Sequence, residues 1–268
     1  MVSGNYHTHH QWCRHATGSA GDYCAAAEAA GLKILAMTDH VPYPGNLCWL
    51  SSRMDWEQLG DYMAEVDAAA AAHPALKVYR GLECEYRPEL GDSFYRERLR
   101  GEYRAQLLLG SLHYVRLDNG DYLYVTKEEA VPHFRNSVKQ TVALIHSGLF
   151  DFLAHPDLCL TPMVWGKEAE MGSREILQAL KDTGMPAEIN GYGMRKPPVV
   201  VAGEHRYQYP RREFWELAGE YGIRCVVNSD AHAPSDVAAS LEECESWAVK
   251  NHLEIVNDAI GALCAERA

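Results

Sequence analysis

LKILAMTDH, residues 32–40, is the stretch on which the fold turns. From Leu32 to Thr38 it is apolar except for Lys33, and it reads as a strand buried on both faces. It then runs into Asp39-His40, two residue types that bind metal ions. In a parallel barrel, side chains just past the carboxyl end of each strand gather on one face, which is where such folds place their chemistry.

The same pattern repeats along the chain. Before it lies Asn5 to His9, a first strand in which His7 and His9 share a face because side chains at i and i+2 point the same way. Asp22 is placed to cap a helix over 23–30, stopped by Gly31. After a helix from Asp55 to His73, ended by Pro74, come strands at Leu76–Tyr86 and Gln106–Tyr114. A helical stretch, Lys127 to Ser147, stops at Gly148 and leads to the strand Phe150–His155. The helix Ser173–Thr183 ends at Gly184 before a short strand, Pro186–Asn190. The helix Arg211–Tyr221 ends at Gly222 before the seventh strand, Ile223–Ser229, and the carboxyl tail reads as largely helical. Strands alternating with helices through short links predict parallel strands with right-handed crossovers. The fold class is α/β, in one domain spanning residues 1–268. An open doubly wound sheet and a barrel both satisfy the pattern. No Gly-x-Gly-x-x-Gly follows the first strand and no Gly-x-x-x-x-Gly-Lys occurs, so nucleotide-binding versions lose ground. Two long links, Val41 to Met54 and Tyr192 to Tyr209, are candidate functional loops.

Composition bounds the partners. The 268 residues carry 25 basic and 37 acidic side chains, a net charge of −12. That excludes a general nucleic-acid surface and an anionic-membrane surface, but a small phosphate remains open if cations in the site dominate the local field. The eight cysteines show no C-x-x-C spacing, and Cys84 and Cys225 sit in apparent strands as buried thiols. With no leader-like start and no apolar run of about 18 residues, the expected setting is cytoplasmic and reduced. The sequence assigns no oligomeric state.

Each strand ends on metal-binding side chains. The first gives His7 and His9, the second Asp39 and His40, the third Glu83 and Glu85, the fourth His113, the fifth His155. The sixth carries Glu188, and the seventh runs into Asp230 and His232, which repeat the i, i+2 spacing of the opening pair. Imidazoles with a few carboxylates suit Zn, Fe or Mn and not calcium or an all-oxygen magnesium cage. One zinc site needs only three or four ligands, so this set predicts two or three ions, with Glu83 suited to bridge two of them.

The motifs HTH (7–9), TDH (38–40), GLE (81–83), GSLH (110–113), AHP (154–156) and SDAH (229–232) resemble, in order, those of the PHP (polymerase and histidinol phosphatase) superfamily. Each is short; six in order are specific. The resemblance implies a distorted seven-stranded (β/α)7 barrel, TIM-like, with three divalent ions. One would be held by His7, His9, Glu83 and Asp230, a second by Glu83, His113 and His155, and a third by His15, His40 and His232. EINGYGMRKP (188–197), with Tyr209-Pro210 further on, is similar to the monofunctional histidinol-phosphate phosphatases, where such a segment supplies an arginine to the substrate phosphate: Arg195 here. Arg14 stands where the family's early motif leads one to expect proline, which bears on substrate preference more than on metal binding.

The implied chemistry is hydrolysis of L-histidinol phosphate. Divalent ions clamp a phosphate and lower the pKa of a bound water, giving a hydroxide that attacks phosphorus in line. Arg195 suits two phosphate oxygens. Asp39 is the candidate proton donor to the leaving group, or a support for a ligand histidine, since beside His40 in an extended segment it should point the other way. Glu85 and His205 are candidates to meet the substrate, and Glu188 either closes the bottom of the site or orients a ligand. His10, next to His9, should face away. Two other readings are a phosphoesterase for a nucleotide or other small phosphate ester, and a metal-binding barrel without turnover.

Overall fold

The computed structural model describes residues 2–46 and 50–267. Cys48 and the middle of the Val41–Met54 link lie outside the described residues; the other seven cysteines are free and buried. Among the described residues the strands in chain order are β1 (Gly4–Asn5), β2 (Ile34–Met37), β3 (Lys77–Glu85), β4 (Leu107–Ser111), β5 (Tyr114–Arg116), β6 (Tyr122–Tyr124), β7 (Phe152–Leu153), β8 (Ala187–Asn190), β9 (Val199–Val201), β10 (Glu204–Arg206), β11 (Arg224–Asn228) and β12 (Glu254–Ile255). The helices are α1 (Ala20–Ala29), α2 (Leu59–Ala72), α3 (Gly91–Ser93), α4 (Phe134–His146), α5 (Lys167–Thr183), α6 (Tyr192–Arg195), α7 (Arg212–Tyr221), α8 (Leu241–Lys250) and α9 (Asn257–Glu266).

Eight strands form one parallel sheet in the order β1-β2-β3-β4-β7-β8-β11-β12. Seven are the expected strands, in the expected order. The sheet curls until the chain just past β1 meets the chain just past β11: Thr8 and Ala231 form a parallel bridge, and the His9 N–H donates to the Ala231 carbonyl at 2.8 Å. This contact is a single bridge and not a ladder, so the ring is a distorted α/β barrel. The unexpected eighth strand, β12, adds to the outer side of β11. Two antiparallel hairpins, β5–β6 and β9–β10, also escaped the sequence reading; elements of two or three residues are too short to show a period. The second hairpin fills the expected long link 192–209.

Helix boundaries shifted for local reasons. Ser19, not Asp22, caps α1: its side chain accepts the Asp22 N–H, and Asp22 reaches back to the Ser19 N–H in a capping box. The stretch read as one helix from Lys127 is a 3-10 segment, Glu128–His133, before α4, because Pro132 cannot supply an intrahelical N–H. Helix α5 begins at Lys167, before the expected Ser173.

Alternation along the strands separates two environments. Leu35, Met37, Leu82, Leu108, Leu153, Ile189 and Val227 join the layer under the helices, while Ala36, Tyr79, Leu107, Leu109, Phe152 and Val226 fill the barrel interior with Ile260 and Cys264 of α9. Helix α9 therefore plugs the amino-terminal end of the barrel. The inward parity continues upward into Glu83, Glu85, Glu188, Asn190 and Asn228, all at most 4% exposed. The interior is thus apolar below and acidic above. Buried carboxylates are costly unless paired, and their partners are the strand-end histidines. No helix among the described residues is long and apolar enough to cross a membrane.

Candidate metal centre

Nine candidate ligands converge at the carboxyl end of the barrel. His7 is fully buried at the bottom; the other eight line a cavity of about 220 Å³. The His7 and His9 Nε2 atoms meet at 3.0 Å. Each lies 3.4 Å from Glu83 Oε2, and they stand 3.6 and 3.2 Å from Asp230 Oδ1. Ligands around a tetrahedral ion with bonds of about 2.0–2.1 Å are ~3.3–3.4 Å apart, so these four atoms already have the spacing of one coordination shell. Glu83 faces two ways: Oε1 lies 2.8 Å from His155 Nε2 and 3.5 Å from His113 Nε2, and Oε2 lies 3.0 Å from His40 Nδ1. At the rim, His232 Nε2 and His15 Nε2 are 3.1 Å apart.

The expected grouping into three sets is met unevenly. His7 and His9 group with Glu83, but His40 groups with Glu83 and His113, and His232 with His9 and Asp230. His15 stays near both, its ring centroid 5.4 Å from that of His40 and 4.9 Å from that of His232.

A layer behind the ligands fixes their orientation. His7 Nδ1 bonds Glu188 at 2.8 Å, His113 Nδ1 bonds Glu85 at 2.8 Å, and His9 Nδ1 lies 3.2 Å from the Cys13 thiol. His15 Nδ1 donates to the Cys13 carbonyl at 2.6 Å and His232 Nδ1 to the Asp230 carbonyl at 3.1 Å. In all five the outer nitrogen is tied back and Nε2 is presented to the cavity, the pattern that metal-ligating histidines need. Buried Asp230 Oδ1 has no hydrogen-bond partner, and Glu83 Oε2 and His40 Nδ1 face each other at 3.0 Å without the geometry of a hydrogen bond. Buried polar atoms are rarely left this way, and orphaned acceptors aimed into a histidine cage fit a cation. Two of the candidate ligands, Asp230 and His155, have φ of 50° and 28°, a region few residues other than glycine adopt.

The charges are strongly coupled. Burial alone would raise Glu83 and Asp230, but the surrounding histidines hold both well below the carboxylate range. Burial would lower His7, yet Asp230, Glu188 and Glu83 outweigh it and hold the ring well above its ordinary value. At the rim, burial and then His9 push His232 down to about 3, and the same two causes lower His15.

The remaining predicted site residues are placed elsewhere. Asp39 is fully buried behind the cavity, where it accepts the His10 N–H and pairs with the His10 ring. His10 faces away from His9, as the extended backbone requires. Glu85 supports His113 and lies 3.8 Å from Arg53; it does not line the cavity. His205, on β10, is exposed and borders a separate surface hollow. Arg195, expected at the substrate phosphate, does not line the cavity. Because 192–195 coil into α6, its guanidinium turns back to donate to the carbonyls of Ser229, Asp230 and Ala239 at 2.9, 3.3 and 3.2 Å. The next residue, Lys196, lines the cavity instead, together with Arg53, Tyr114, Tyr124, Tyr192 and Tyr209. Strand-end reasoning missed these six because they come from loops, hairpins and the short α6; the stretches 188–197 and 209–210, which hold Tyr192, Lys196 and Tyr209, were the legible signal.

Comparisons with known proteins agree with this geometry. The chain is 32% identical over 240 residues to a probable histidinol-phosphatase of Deinococcus radiodurans, covering 86% of each. In fold it is similar to a candidate histidinol phosphatase of Listeria monocytogenes, with a TM-score of 0.68 at 20% identity, covering 87% of this chain and 97% of that one. It is also similar to histidinol phosphate phosphatase from Lactococcus lactis, solved with zinc, L-histidinol and phosphate, with a TM-score of 0.65 at 18% identity and 95% of each chain covered. Residues 5–191 match the model of the PHP domain, and the chain belongs to the PHP domain family.

Proposed function

We propose that this protein hydrolyses L-histidinol phosphate to L-histidinol and phosphate, using divalent ions held by His7, His9, His15, His40, Glu83, His113, His155, Asp230 and His232. The observation that carries the proposal is the set of five histidines whose Nδ1 atoms are tied back: the Nε2 atoms of His7, His9 and His113 are turned toward Glu83 or Asp230, and those of His15 and His232 meet at the rim. The relative at 32% identity, a probable histidinol-phosphatase, supports the choice of substrate.

Three ions of Zn, Fe or Mn accord with a nine-residue donor set in which Glu83 offers both oxygens. When bound, such ions neutralise phosphate charge and supply a nucleophile at neutral pH. The chain's own residues do the positioning. Glu188 and Glu85 fix the rings of His7 and His113. Cys13 accepts the His40 N–H at 3.2 Å and its thiol bonds Asp39, so Asp39 steadies the His9–His15 loop from behind. Tyr124 and Tyr209 wall the cavity and limit water.

Elemental analysis of the purified protein, with phosphate release measured on a panel of monoesters including histidinol phosphate, tests the proposal. Bound metals with histidinol phosphate preferred is the expected result. Bound metals with no phosphate released from any monoester would refute it.

A further inference from the structure

The cavity contains a lysine whose charge is not bonded to any acid. Lys196 follows α6, and its side chain runs between two aromatic rings, with Nζ 4.4 Å from the Tyr192 centroid and 5.4 Å from that of Tyr209. Among the described residues the Nζ ammonium makes no hydrogen bond or salt bridge. Cation–π contact holds an ammonium without neutralising it, so its three N–H donors remain available.

The mounting is specific. Tyr192 stacks on His232 at 4.3 Å and 18°, and the Tyr209 ring stands 5.9 Å from that of His155. The two rings that hold Lys196 therefore each rest on a candidate ligand, Tyr192 on His232 and Tyr209 beside His155. Gly193 makes the approach possible: a Cβ there would lie 2.2 Å from the Tyr209 carbonyl oxygen. Burial lowers the Lys196 pKa, opposed by Asp230 and Glu83, and a phosphate dianion alongside would favour the charged form. Arg195, by contrast, commits three of its five N–H donors to backbone carbonyls and does not line the cavity.

We propose that Lys196, and not Arg195, grips a phosphate oxygen of the substrate, with Tyr192 and Tyr209 aiming it and Arg195 bracing the Ser229–Asp230 segment. This rests on the phosphatase reading above. Lys196→Met keeps an apolar stem between the rings and removes the charge. In the metal-loaded protein it should weaken the binding of inorganic phosphate, measured by calorimetry, by about 10- to 100-fold. KM for histidinol phosphate should rise correspondingly, with metal content unchanged. Lys196→Arg should recover phosphate affinity. Phosphate affinity equal to that of the parent overturns the proposal, as does metal loss in the Met variant, which would make Lys196 a structural support. Lys196→Gln, measured the same way, decides the matter if the Met variant does not fold. Because the titration needs no turnover, the two readings fail separately. A parent that binds phosphate but hydrolyses no monoester refutes the phosphatase reading, while the variants still test Lys196. A parent that hydrolyses histidinol phosphate while Lys196→Met binds phosphate normally refutes Lys196 alone.

Discussion

Glu188 is the residue on which the lower half of the site depends, and Glu188→Gln is the perturbation that measures it. Its carboxylate is fully buried and accepts four donors. Oε1 takes His7 Nδ1 at 2.8 Å and Asn228 Nδ2 at 2.9 Å; Oε2 takes the His155 N–H at 3.0 Å and Asn190 Nδ2 at 2.8 Å. Glutamine preserves the shape but turns one oxygen into an NH2 group, so two of these donors lose their acceptor. Neither asparagine can flip freely to compensate, because Asn228 Oδ1 holds the Tyr6 N–H at 2.8 Å and Asn190 Oδ1 the Tyr192 N–H at 2.9 Å. Hydrogen bonds to a charged group contribute ~1.5–3 kcal/mol each, so after relaxation the loss should be about 3 kcal/mol. At roughly 2–4 °C per kcal/mol for a chain near this size, Tm should fall by about 6–12 °C. Loss of the His7 support should also weaken metal binding ~10- to 100-fold. Thermal unfolding with and without chelator, beside a metal titration, reads both effects. A Tm within about 2 °C of the parent, with metal affinity unchanged, would refute the reasoning that Glu188 orients the centre.

Further outcomes follow from the same geometry. His232→Ala and His40→Ala should each lower metal content by elemental analysis and reduce phosphate release, since each removes a nitrogen facing the cavity; full metal content in both would remove them from the ligand set. Metal binding should release protons near pH 7. His7 and His155 are held above the ordinary histidine value while His15, His40 and His232 are held below it, so of these five the first two carry protons to displace. Calorimetry in buffers of different ionisation enthalpy should show about one to two protons released, with affinity falling as pH falls; zero release would contradict the charge assignment. Gly193→Ala should destabilise the fold and raise KM, because its Cβ collides with the Tyr209 backbone; a parent-like Tm and KM would show that α6 can move away without loss.

Much of this was legible in the residue order. Strand and helix types follow from side-chain periodicity and from glycines that stop helices, such as Gly31 and Gly222 with φ of 81° and 67°. Strand-end placement was enough to gather His7, His9, Glu83, His113, His155 and Asp230, because a parallel sheet must bring its carboxyl ends together. His10 was correctly read as facing away, since adjacent residues on an extended backbone oppose each other.

Other features depend on contacts between segments distant in sequence. The direction of Arg195 is set by carbonyls 34 and 44 residues away, which no local pattern reveals, and it is Lys196 that lines the cavity, beside the close packing of Tyr209 on Gly193. Asp39, beside a ligand in sequence, lies behind the cavity because the His10 ring and the Cys13 thiol meet it there. Sequence by itself determined which residue types stand at each strand end and that the strands run parallel, because periodicity and connection length are local. Only the tertiary structure decided which nitrogen faces the cavity, which carboxylate supports it and which side chain of the Arg195-Lys196 pair lines the cavity, because those depend on contacts closed across the barrel.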